Sequence, residues 1–182
     1  MAMTKLVTVE DLEAMPEDSR LELIQGQLVP MPPIGGSHGS FLFNLGSPLS
    51  QHVKQFGLGS VYGGEVGVVL SHDPDMVLAP DIAFVRGEPI PAVEQPEGYL
   101  RQLPDLVIEI ASPSDSRPAL RRKVSLYHQA GIPNVWLVEY RSLTVSLFPL
   151  GGVEQVLTEA DTLDGGEVVP GFRLPVAEIF WS

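Results

Sequence analysis

Two short apolar runs limit what this chain can become: Ile82-Ala83-Phe84-Val85 and Leu106-Val107-Ile108-Glu109-Ile110-Ala111. Both are rich in β-branched residues and too short to bury as helices, so both read as core strands. Each also carries an acid. Asp81 opens the first run directly after Pro80, and Glu109 lies inside the second. An ionised carboxylate in a core is costly unless it is paired or binds a metal. Strand periodicity puts Asp105, Val107, Glu109 and Ala111 on one face, and it likewise aligns Asp81, Ala83 and Val85. If the two strands are neighbours, Asp81 and Glu109 converge on one site. If they are not, each acid is salt-bridged or lies at a strand end in water. Convergence would suit a divalent cation, and hard oxygen ligands favour Mg²⁺ or Mn²⁺.

The remaining segments surround these strands with a mixed set of elements. Thr8 with Asp11 three residues later has the form of a helix N-cap, and the helix it opens ends near Pro16. Arg20 to Val29 reads as a strand or hairpin bent at Gly26. Met31 to Gly36 is a Pro/Gly loop. His38 to Phe56 has helical spacing at Phe41, Leu42, Leu45, Leu49, Val53 and Phe56, and Gly46 and Pro48 are expected to kink or interrupt it. Val61 to Leu70 alternates as a strand should, and Met76 to Val85 is its expected hairpin partner. The proline-rich stretch Gly87 to Gln102 is a loop long enough to have a role of its own. A turn at Ser112-Pro113-Ser114-Asp115 leads into a helix over Pro118 to Gly131. Asn134 to Tyr140 and Leu143 to Leu150 form a further strand pair. This order predicts an α/β (α+β) protein in which helices flank a mixed β-sheet.

Composition narrows the function. The 182 residues fit one domain, 1–182, and 44% hydrophobic content is ample for a core. With no cysteine, zinc-thiolate sites, disulfides and a thiol nucleophile are excluded. No signal-peptide pattern precedes the first helix and no apolar run approaches the roughly 20 residues of a membrane span, so a cytoplasmic location is expected. The net charge of −12 opposes tight non-specific binding to a polyanion. The loop at Gly87 to Gln102 adds Glu88, Glu94 and Glu97, which suits a dimer contact or a solvated loop better than a DNA clamp. No phosphate-cradling glycine loop, nucleophile elbow or metal-ligand histidine spacing is present.

Lys123 adds weight to the two acids. With about 100° between successive helix positions, Leu120, Val124, Tyr127 and Ala130 cluster on one side and Arg121, Arg122, Ser125 and His128 on the other. Lys123 falls on the apolar side, between two arginines that face solvent. It either meets an anionic partner such as Asp81 or Glu109, or snorkels outward along its aliphatic stem. Glu22, in Arg20-Leu21-Glu22-Leu23-Ile24, either supplies a further ligand or pairs with Arg20 or a neighbour. His38 at the start of the long helix contacts a phosphate or caps the turn.

A strand Pro80-Asp81 followed by a strand Glu109 resembles the layout of the PD-(D/E)xK nuclease superfamily. In detail the chain resembles the Uma-type family of restriction-endonuclease-like proteins. The matching segments run through Leu21-Glu22-Leu23-Ile24-Gln25-Gly26, His38, Pro80-Asp81-Ile82-Ala83-Phe84-Val85 and Pro104 to Asp115. They continue through Lys123, Tyr127, Gly131, Trp136-Leu137-Val138 and Pro170-Gly171-Phe172. The resemblance implies a restriction-endonuclease-like fold in which Asp81 and Glu109 bind Mg²⁺ or Mn²⁺, with the Ile110 carbonyl as a third ligand. It implies that Glu22 is the assisting acid near the N-terminus, and the expected activity is an endodeoxyribonuclease acting on DNA; separately, a homodimer would let two active sites address two strands. The superfamily's lysine lies two residues after the acid, where this chain has Ala111, so Lys123 would have to reach back from the next helix. Two other readings stay open: a catalytically degenerate module that binds nucleic acid or protein, and a hydrolase of small phosphate esters.

Overall fold

The computed structural model describes residues 6–16, 19–33, 35–112 and 115–181. Pro113 and Ser114, in the expected turn before the third helix, lie outside the described residues. Among the described residues the fold is mixed α/β, built from a six-stranded sheet, a four-stranded sheet and a small two-stranded one, with four α-helices.

Helix α1 (Val9–Glu13) begins at the expected cap: Thr8 accepts from the Asp11 N–H, and the Asp11 carboxylate accepts from the Thr8 N–H. Strands β1 (Leu21–Ile24) and β2 (Gln27–Pro30) then form a hairpin. Its two turn residues, Gln25 and Gly26, have φ of 52° and 72°. A two-residue turn with both central residues left-handed matches the twist of paired strands, which is why glycine sits there.

Helix α2 (Gly36–Phe56) runs unbroken through Pro48, contrary to the expected interruption. Its buried face, Leu45, Leu49 and Val53, packs on Ile82, Phe84, Leu106 and Ile108. Burying three such side chains contributes roughly 2 kcal/mol each. That exceeds the cost of about 3 kcal/mol for a proline in a helix interior.

The two long strands expected over 61–70 and 76–85 are each divided. The first becomes β3 (Gly59–Gly63) and β4 (Val68–Ser71); the second becomes β5 (Met76–Leu78) and β6 (Ile82–Arg86). Gly64 and Glu65, with φ of 86° and 64°, end the first strand, because an extended ladder cannot pass through left-handed residues. Ala79-Pro80-Asp81 separates the second pair, and proline cannot donate to a ladder. The breaks have an architectural consequence. Strands β4 and β5 pair with each other in the sheet ordered β2-β1-β5-β4. Strands β3 and β6 pair in the six-stranded sheet, where β3 is an edge strand. At both breaks the chain passes from one sheet to the other.

Strand β7 (Leu106–Ile110) lies at the interior of the larger sheet, antiparallel to β6 and parallel to β8 (Asn134–Glu139). The parallel pair is joined through helix α3 (Arg117–Gln129), as parallel strands require a crossover. Strands β9 (Thr144–Pro149) and β10 (Gln155–Leu157) extend the sheet, β11 (Thr162–Asp164) pairs with β12 (Arg173–Pro175), and α4 (Ala177–Phe180) follows. The loop from Gly87 to Gln102 carries one 3-10 turn at Ala92–Glu94, and Leu100 bridges to Val68.

Alternation in the central strands divides the core between two helices. Ile82, Phe84, Leu106 and Ile108 face α2, whereas Ala83, Val107 and Val135 face Val124, Leu126 and Tyr127 of α3. No helix among the described residues is long and apolar enough to cross a membrane.

Candidate active site

Glu22, Asp81 and Glu109 reach one place from three different elements. Glu22 stands on β1 of the smaller sheet, Glu109 on β7 of the larger one, and Asp81 on the crossover between them. All three are buried, at 5%, 5% and 7% exposure. The antiparallel register sets Ile82 opposite Ile108, which brings Asp81 level with Glu109 one residue further along. Asp81 Oδ2 accepts the Ile110 N–H at 2.6 Å. Glu22 Oε1 accepts the Ala79 N–H at 3.1 Å, which holds the start of the crossover, the residue before Pro80, against β1.

Lys123 does not snorkel to solvent. Its Nζ lies 2.9 Å from Glu22 Oε1 and 3.2 Å from Glu109 Oε1, so one ammonium bridges acids from both sheets. Burial works against its charge, but Glu109 and Glu22 outweigh that and hold its pKa above the ordinary lysine value. Glu22 therefore pairs with Lys123, while Arg20 pairs with Glu65. Position 111 is a buried alanine packed against Leu120 and Leu137.

Two further residues belong to the cluster. Tyr127, one helical turn beyond Lys123, is fully buried and donates its hydroxyl to Glu109 Oε1 at 2.5 Å. Burial, then the neighbouring acids, raise the Tyr127 pKa well above the usual phenol value, so it stays a donor. His38, in the first turn of α2, sets Nε2 3.2 Å from Asp81 Oδ1. The hydrogen bond to Asp81 raises the His38 pKa, against the opposing effect of burial. Its Nδ1 is the one buried side-chain N or O atom without a hydrogen-bond partner among the described residues. His38 does not cap α2; the cap is Gly35, without a side-chain bond. The signal for Tyr127 was its spacing of four from Lys123 on the same helix face. Nothing local pointed to His38 and Asp81 as partners, because they lie 43 positions apart on different elements.

The electrostatics are unbalanced. Three buried carboxylates face one lysine and one histidine. Glu109 bears the strain: burial pushes its pKa up to about 7, Lys123 opposes this, and Asp81 and Glu22 add to it. An excess of buried carboxylate oxygen suits a hard divalent cation, which would neutralise it. Glu22, Asp81 and Glu109 present such oxygens to one cavity. Among the described residues no group of three His, Cys, Asp or Glu side chains is already set as a metal shell. Two adjoining cavities open onto the acids. One of about 340 Å³ is lined by Glu22, Glu109, Lys123, Arg122, Gln25 and Gln27 among others. The other, of about 200 Å³, includes Asp81, His38, Glu65 and Ile110.

Residues 9–177 match the Uma2 family, described as "Putative restriction endonuclease". The chain belongs to the Uma2 family. A solved structure with the same fold is described as a "putative nuclease belonging to DUF820" from Anabaena variabilis ATCC 29413. It aligns at a TM-score of 0.81 and 19% identity over 96% of this chain and 97% of its own. No curated protein matches the chain in sequence. For a Uma2 protein, the fold expected from the sequence is the fold found, and the three acids and one lysine named from the sequence line one cavity.

Proposed function

We propose that this chain is a metal-dependent nuclease that hydrolyses phosphodiester bonds, with DNA as the expected substrate. The meeting of Asp81, Glu109 and Lys123 beside a partly open cavity carries the reading. Membership of a family described as restriction endonuclease supports it. Mg²⁺ or Mn²⁺, held by Asp81 and Glu109, would supply phosphate polarisation and a more acidic bound water. The chain's own groups have separable tasks. Asp81 is aimed by the Ile110 N–H and by His38. Glu109 is aimed by Tyr127. Lys123, held by Glu22, would stabilise the negative charge that builds on the phosphate oxygens.

The test is cleavage of supercoiled plasmid and single-stranded DNA in Mg²⁺ and Mn²⁺. Asp81→Ala and Glu109→Ala should each lower the rate by at least about a hundredfold, the scale of losing a preorganised electrostatic group. Cleavage retained in purified, folded Asp81→Ala protein would overturn the mechanism. The net charge of −12 favours a second reading, a non-catalytic module that binds nucleic acid or protein on the same fold. Under that reading calorimetry finds no Mn²⁺ affinity.

A further inference from the structure

The arginines of this chain are almost all engaged internally. Arg20, Arg101, Arg117, Arg121 and Arg173 pair with Glu65, Glu13, Glu139, Glu154 and Asp164 at 2.7 to 3.2 Å. Arg86 donates to the carbonyls of Glu167 and Val168, and Arg141 also has partners. Arg122 differs. Among the described residues it has no ion pair, hydrogen bond or ring contact, and it lines the 340 Å³ cavity that opens onto Glu22, Glu109 and Lys123. The other described cation without a partner, Lys54, sits in the last turn of α2, where the helix dipole accounts for it. Asp115 shares the cavity with Arg122, but its carboxylate accepts the Ser112 N–H.

An unpaired guanidinium on the lip of such a cavity is the group to hold an anionic oxygen, since its fork matches a phosphate in two-point contact. The surrounding charge limits what that phosphate belongs to. Lys123 is already bridged between two acids and is committed to the reacting phosphate, and Glu22, Glu109 and Asp115 share the cavity, so Arg122 is the one cation of its lining left for the flanking backbone. Tight duplex binding neutralises many phosphates at once. A flexible single strand needs fewer contacts and can feed one nucleotide at a time into a cavity of small-molecule size. Building on the nuclease reading above, we infer that Arg122 binds a phosphate flanking the scissile bond and that the substrate is single-stranded nucleic acid.

The experiment uses one fluorescein-labelled oligodeoxynucleotide, single-stranded and annealed as a duplex. Affinity is followed against salt in Ca²⁺, and steady-state cleavage is followed in Mn²⁺. Arg122→Gln should raise KM about tenfold with kcat little changed, and should lower the salt slope by about 0.7, the value for one phosphate on a single strand. Arg122→Lys should restore the slope, and Lys54→Gln should move neither quantity. Unchanged KM and slope in Arg122→Gln, with cleavage still dependent on Asp81, would overturn the role of Arg122 and leave the nuclease standing. Tighter duplex binding with a slope near six would overturn the single-strand assignment. Neither binding nor cleavage by the wild-type protein would remove the nuclease reading and this inference together.

Discussion

At the scale of single residues, the site rests on carboxylates that the protein keeps close against their own repulsion. Glu109 shows the cost most directly, with a pKa pushed up to about 7 by burial and by Asp81 and Glu22. A carboxyl group whose pKa is raised on folding binds its proton more tightly in the folded state. Its contribution to stability is therefore complete below the unfolded value near 4.5 and is lost as pH rises through about 7. Glu109→Gln cannot ionise and leaves Lys123 paired with Glu22. In chelator-treated protein the variant should gain stability relative to wild type as pH rises from 5 to 8, by up to about 3 kcal/mol. Urea unfolding at several pH values checks this, and parallel pH curves for the two proteins would contradict it.

At the scale of elements, the strand breaks matter more than the strands. The residues around Gly64 and Pro80 carry the chain from one sheet to the other, and the second break delivers Asp81 to the crossover. The partner strand β3 is fixed at its start by Gly59, whose φ is 147°. A Cβ there would lie 2.1 Å from the Val85 carbonyl oxygen in β6. Gly59→Ala should thus cost at least about 2 kcal/mol, from backbone strain and from forcing β3 away from β6. Thermal unfolding measures the loss. Cleavage per folded molecule should stay close to wild type, because Gly59 pairs with Arg86 at the far end of β6 from Asp81.

At the scale of the whole molecule, charge sets the terms of binding. A chain of net charge −12 gains little from distributed contact with a polyanion. It gains much from a cation at its most acidic interior point. Mn²⁺ at about a hundred times its dissociation constant adds about 2.7 kcal/mol to folding stability. For a chain of this size that is a rise in Tm of roughly 5 to 10 °C. The shift should vanish in Asp81→Ala and Glu109→Ala, and a scan showing the same shift in all three proteins would place the cation elsewhere.

Local chemistry was enough to reveal much of this. The Thr8–Asp11 cap, the Gln25-Gly26 turn, the amphipathic faces of α2 and α3, and the pairing of β8 with β9 all depend on residues close in sequence, so periodicity and turn preference expose them. The inward face of Lys123 was legible for the same reason. The continuity of α2 through Pro48 was not, because it is decided by what the helix packs against rather than by the proline. Nor could alternation reveal that 61–70 and 76–85 each divide between two sheets, since an apolar residue satisfies the pattern in either one. The sequence by itself determined which residues are acids set among core positions. The tertiary structure alone decided that Glu22 and Glu109 share one lysine and that His38 meets Asp81, because those contacts join positions whose separation along the chain carries no periodic signal.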